Sequence, residues 1–102
     1  MNTKNQTQDR QQVLIDLYLQ YLLNEITLGQ LLAYLRKNIL GMSQAQYANL
    51  VGVSRRTLTD IEQDKGKLTQ SVLDKVFKPL GLKAGLVPTH EHIVRKILKP
   101  SE

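Results

Sequence analysis

Arg55 and Arg56 stand together directly after Ser54, and Asp60 lies one helical turn beyond Arg56. These side chains form directed hydrogen bonds rather than making or breaking covalent ones. Each guanidinium is a planar fork of donors, always charged. Asp60 has two roles open to it: accepting from an outside donor, or holding Arg56 as an i,i+4 ion pair. At a helix start, paired arginines are ordinarily solvated charges, so their meaning depends on what positions them. The rest of the chain suggests no other chemistry. No Ser–His–Asp arrangement, glycine-rich phosphate loop or pair of catalytic carboxylates emerges, so no catalytic residue is assigned and no enzyme is expected. His90 and His92 flank Glu91 without a third ligand in view, which reads as tail rather than metal site. No motif asks for a cofactor.

The chain that must position these residues has 102 of them, enough for one domain with a modest core. With one Phe and no Trp, Leu, Ile and Val must build most of that core. The absence of Cys excludes disulfides and thiolate metal sites and fits a reducing, cytoplasmic setting. No signal-peptide pattern and no run long and apolar enough to span a membrane is visible, so no membrane partner is expected. The formal charge of +5 falls mostly in residues 68–102 and permits a polyanionic partner.

Along the chain, residues 1–8 read as a flexible polar tail, and 9–26 as an N-terminal helix from about Asp9 to Glu25. That helix carries a polar stripe of Asp16, Gln20 and Asn24 but is apolar around most of its circumference. Tyr18 and Tyr21, with Tyr34 further on, are most simply core or interface residues. Thr27 with Gln30, and Ser43 with Gln46, read as capping boxes opening the next two helices. The first of these keeps helical period to Leu40 and closes at Gly41. Ser54 and Thr69 cap two more, the last ended by Pro79. Leu82, Ala84 and Leu86 alternate with Lys83, Gly85 and Val87, which predicts a short strand over 82–88. Residues 89–102 form a basic tail with a helix over 90–99.

The segment "SQAQYANLVGVSRRTLTDIEQ" answers why the arginines sit where they do. Two helices crossing steeply need a tight turn, and Gly52 supplies a left-handed residue there. Ala48 is small enough for close helix approach, and Tyr47, Val51, Val53, Leu58 and Ile61 fall at the apolar positions of a twenty-residue helix-turn-helix unit. On these residues the sequence resembles the lambda-repressor-like (Cro/C1, Xre) family over roughly residues 28–82. Asp64 stands where that family usually has Gly, and Pro79 interrupts the last helix early. The resemblance implies an all-α fold: a five-helix domain over 27–81, here with an extra N-terminal helix and a short C-terminal dimerising strand.

It further implies that the second helix of the unit lies in a DNA major groove. Matched by position, Arg55, Arg56 and Asp60 become base readers, with Thr59 a lesser candidate. An Arg donates two hydrogen bonds to O6 and N7 of guanine. Gln44, Thr57, Gln63 and Lys65 match positions that hold phosphates. Arg36 and Glu62 match a structural ion pair. Such modules act as homodimers on palindromic double-stranded operators, here with Leu82, Ala84 and Leu86 at the interface. The unit followed by "KLTQSVLDKVFKPLGLKAGLVP" also looks like HipB-type antitoxins, which implies an autoregulatory repressor bound to a kinase-type toxin. A free-standing phage, plasmid or chromosomal regulator is the alternative.

Overall fold

A computed structural model describes residues 3–99, with side chains from residue 9. Its regular elements are helical throughout: α1 (Thr3–Leu22), α2 (Leu28–Leu35), α3 (Gln44–Val51), α4 (Arg55–Glu62), α5 (Gln70–Phe77) and α6 (Glu91–Leu98). A π-helical turn, Arg36–Leu40, continues α2, and a 3-10 turn, Lys78–Leu80, continues α5.

Each of α2 to α5 starts where its cap requires. Thr27 accepts from the Gln30 backbone N–H while the Gln30 side chain accepts from Thr27 N–H, and Ser43 and Gln46 repeat the arrangement. Ser54 and Thr69 cap α4 and α5 through the N–H groups of Thr57 and Val72. Gly52 takes a left-handed conformation, φ 76°, and turns the chain from α3 into α4.

Leu31, Leu32 and Leu35 of α2 meet Tyr47 and Ala48 of α3, Leu58 and Ile61 of α4, and Val76, Phe77 and Leu80 at the core. Tyr47 is fully buried and its hydroxyl donates to the Val76 carbonyl, tying α3 to α5. Burial first, and the Glu62 charge second, push this phenol up to about 12. α1 lays Leu14, Leu17, Tyr18 and Tyr21 on this core, so much of its apolar surface is used within the chain. Ile15 is left half exposed.

The structure departs from expectation at both ends. α1 begins at Thr3 instead of Asp9, so part of the expected 1–8 tail is helical; Met1 and Asn2 lie outside the described residues. It ends at Leu22, because Asn24 turns left-handed at φ 62°. The strand expected over 82–88 does not form. Its alternation survives as burial only in the first half: Leu82 packs on the core and Ala84 is half-buried while Lys83 and Gly85 face solvent, but Leu86 is fully exposed. However, Ala84 N–H donates to Asp74 Oδ1 at 2.8 Å, and no strand among the described residues is there to pair with the segment.

Gly29 lies close against the backbone of α4. A Cβ there would lie 2.5 Å from the Ile61 carbonyl oxygen and 2.6 Å from that of Glu62. Both obstacles are backbone, so neither rotates away. Gly29→Ala is expected to cost roughly 3 kcal/mol by forcing the helices apart, measurable as a lowered urea midpoint. An unchanged midpoint would show that α4 has room to shift.

Candidate nucleic-acid interface

The recognition end of the molecule is built on a polar network beneath α4. Arg36, at the start of the π-helical turn, is only 5% exposed. Its Nε donates to Glu62 Oε2 at 2.7 Å, Nη2 to Glu62 Oε1 at 2.8 Å, and Nη1 to the Met42 carbonyl at 2.8 Å. One guanidinium therefore ties α4 to the turn entering α3. Gln44 Nε2 adds a bond to Glu62 Oε1 at 2.9 Å. Burial alone would raise the Glu62 carboxyl. The hydrogen bonds from Arg36 and Gln44, with the charges of Arg36 and Lys37, outweigh it and hold the group below its ordinary value.

Thr59 joins this network. Its hydroxyl lies 2.9 Å from the Arg55 carbonyl and 3.3 Å from Gln44 Oε1, with one proton to share between them. Gln44 and Thr59 were expected at the DNA, the first on a phosphate and the second near a base. In the free protein the two side chains bond to each other, and Gln44 also bonds to Glu62.

Arg55 and Arg56 are exposed at the first turn of α4, which holds no acidic residue. Two cations there oppose the positive end of the helix dipole, at a cost of about 0.3–1 kcal/mol each. Thr57 is half-buried and accepts from the Ser54 hydroxyl at 2.9 Å, while Gln63 and Lys65 are exposed past the other end of α4. The ion pair considered for Arg56 and Asp60 is absent; Asp60 is half-buried and pairs with no cation among the described residues.

Sequence reasoning missed a second anchor. Asp64 turns left-handed at φ 58°, as the family's usual Gly would, but its carboxylate also accepts from Thr27 Oγ1 at 2.6 Å and Gly29 N–H at 2.8 Å. The end of α4 thus places a negative charge at the N-terminus of α2, where the helix dipole favours it. The signal in the sequence was that capping box, with Gly29 inside it, together with Asp at a Gly position.

These features give one short helix, fixed at its far end by Arg36–Glu62 and Asp64, with two free guanidinium groups at its leading end. No helix among the described residues is long and apolar enough to cross a membrane, and no cluster of three metal-ligating side chains occurs there. Neither the curated proteins nor the solved structures yield a match. The family model described as helix-turn-helix matches residues 32–86, more than half of the chain and the whole of the unit just described. The chain belongs to the Cro/C1-type helix-turn-helix family of DNA-binding transcription regulators.

Proposed function

We propose that the protein is a sequence-specific repressor that binds a palindromic operator as a homodimer and reads it with Arg55 and Arg56. The observation that carries this reading is their exposure on α4, against the helix dipole and with no carboxylate partner among the described residues. Asp60 and Thr59 lie further along the same helix, and Gln44, Thr57, Gln63 and Lys65 are proposed to set its register on phosphates. Gln44 is proposed to act through its backbone N–H at the start of α3, since its side chain is engaged with Glu62.

The proposed two-fold contact centres on Leu86, which is fully exposed beside an apolar groove lined by Tyr18, Leu31, Leu73 and Phe77. Leu82 and Ala84 line the same groove and are each half-buried. Leu86→Asp is expected to convert the dimer to monomer in sedimentation velocity, and an unchanged mass would reject this contact.

Within this reading, the protein is proposed to repress its own operon as a HipB-like antitoxin whose kinase-type toxin binds the repressor. The support is the sequence following the helix-turn-helix unit. The free-standing regulator shares the same DNA-binding end and lacks the partner. Co-expression with the products of adjacent genes separates the two: stable co-purification of a kinase supports the antitoxin, and its failure supports the free-standing regulator. Fluorescence anisotropy on DNA from the gene's own upstream region tests autoregulation. Binding about a thousandfold tighter than to a scrambled duplex is expected.

A further inference from the structure

We infer that α6 is a second DNA-contacting element, gripping backbone phosphates outside the stretch covered by α4. The inference rests on the DNA-binding reading and extends it to a part of the chain that has no place in the helix-turn-helix unit.

The first observation is electrostatic. Affinity for duplex DNA comes largely from neutralised phosphates. Within residues 43–67, however, Arg55, Arg56, Lys65 and Lys67 are nearly balanced by Asp60, Glu62 and Asp64. The excess positive charge of the chain lies beyond them. On α6, Arg95, Lys96 and Lys99 line one shallow depression together with Leu98, so three cations serve a single surface. All three are exposed, and the only carboxylate engaged there among the described residues is Glu91, 3.4 Å from Arg95 in a solvent-exposed contact.

The second observation is how the helix is seated. Val94, 2% exposed, is the one residue of α6 buried against the protein among those described, while Ile93, Ile97 and Leu98 remain exposed. At 100° per residue, Arg95 and Lys96 lie about 100° and about 160° round from Val94, and both are exposed, as is Lys99 just past the helix end. The third is position. Just before α6, the Thr89 carbonyl accepts from Asn24 Nδ2 at 3.2 Å. Three residues after Asn24, Thr27 bonds to Asp64, just past the end of α4. The start of α6 is therefore tethered at the end of the molecule where Lys65 and Lys67 also lie. In this proposal a duplex that continues past the C-terminal end of α4 meets Lys65 and then the cations of α6.

The test is the salt dependence of binding to a mixed-sequence duplex of about 30 bp, which needs no known operator. The triple variant Arg95→Gln, Lys96→Gln, Lys99→Gln is compared with the wild type after circular dichroism shows equal helicity. Each lost phosphate contact lowers the slope of log K against log salt by about one. The variant should therefore lose about three per bound protomer, while Arg95→Lys, Lys96→Arg, Lys99→Arg keeps the wild-type slope. Equal slopes for the wild type and the Gln variant would overturn the role of α6. A wild type that shows no salt-dependent binding at all would overturn the DNA-binding reading beneath it.

Discussion

Glu62→Ala is expected to destabilise the protein by about 3–5 kcal/mol, the usual effect of removing one partner from a buried ion pair. Arg36 would keep its charge at 5% exposure with only the Met42 carbonyl to receive it. The companion variant Arg36→Met, Glu62→Leu removes both charges and leaves only the Met42 carbonyl and the Gln44 amide short of a partner. It should cost well under the sum of the two single changes, because neutral groups are cheaper to strand than charges. Chemical denaturation of the wild type, Arg36→Met, Glu62→Leu and the double variant measures this coupling directly. Additive effects would mean that the pair contributes nothing as a pair.

The same residue sets a pH dependence. The Glu62 carboxyl is held below its ordinary value in the fold, so the unfolded chain takes up the proton first as pH falls. Its contribution is therefore complete above the ordinary carboxylate pKa of about 4.3 and is lost as pH drops through the lower, folded value. In Glu62→Gln this part of the acid sensitivity should disappear.

The second large effect falls on DNA. Arg55→Ala and Arg56→Ala should each lose about 1–3 kcal/mol of discrimination between the operator and a scrambled duplex, that is, roughly fivefold to 150-fold. Their thermal stability should stay the same or rise slightly, since each removes a cation from the positive end of α4. This opposite movement of binding and stability distinguishes a reading residue from a structural one. A stability loss matching the binding loss would point to a folding role instead.

Much of this fold was legible in the sequence because the signals were local. Thr27–Gln30, Ser43–Gln46, Ser54 and Thr69 mark helix starts within three or four residues, and Gly52 marks its turn by conformation alone. The features that escaped depend on groups far apart in the chain. Gly29 is an unremarkable residue until the carbonyls of Ile61 and Glu62 are brought against it. Asp64 reads as a tolerable replacement for Gly until its carboxylate meets Thr27, 37 residues away. Tyr47 fits the apolar pattern, which hides that its hydroxyl holds Val76. The alternation at 82–87 is realised only at Leu82 and Ala84, with Leu86 fully exposed, and a strand also needs a neighbour to pair with. At the candidate interface, types and spacing located Arg55 and Arg56. They did not foretell that Gln44 and Thr59 would bond to each other.

The central claim is that α4 reads sequence through its leading arginines. It is tested most directly by selecting bound duplexes from a random library at about 0.15 M salt and sequencing them, with the wild type and the Arg55→Ala, Arg56→Ala variant in parallel. The account predicts that the wild type enriches a palindromic motif with guanines in each half-site, and that the variant loses those guanines while remaining folded. Enrichment of the same motif by both proteins would contradict it.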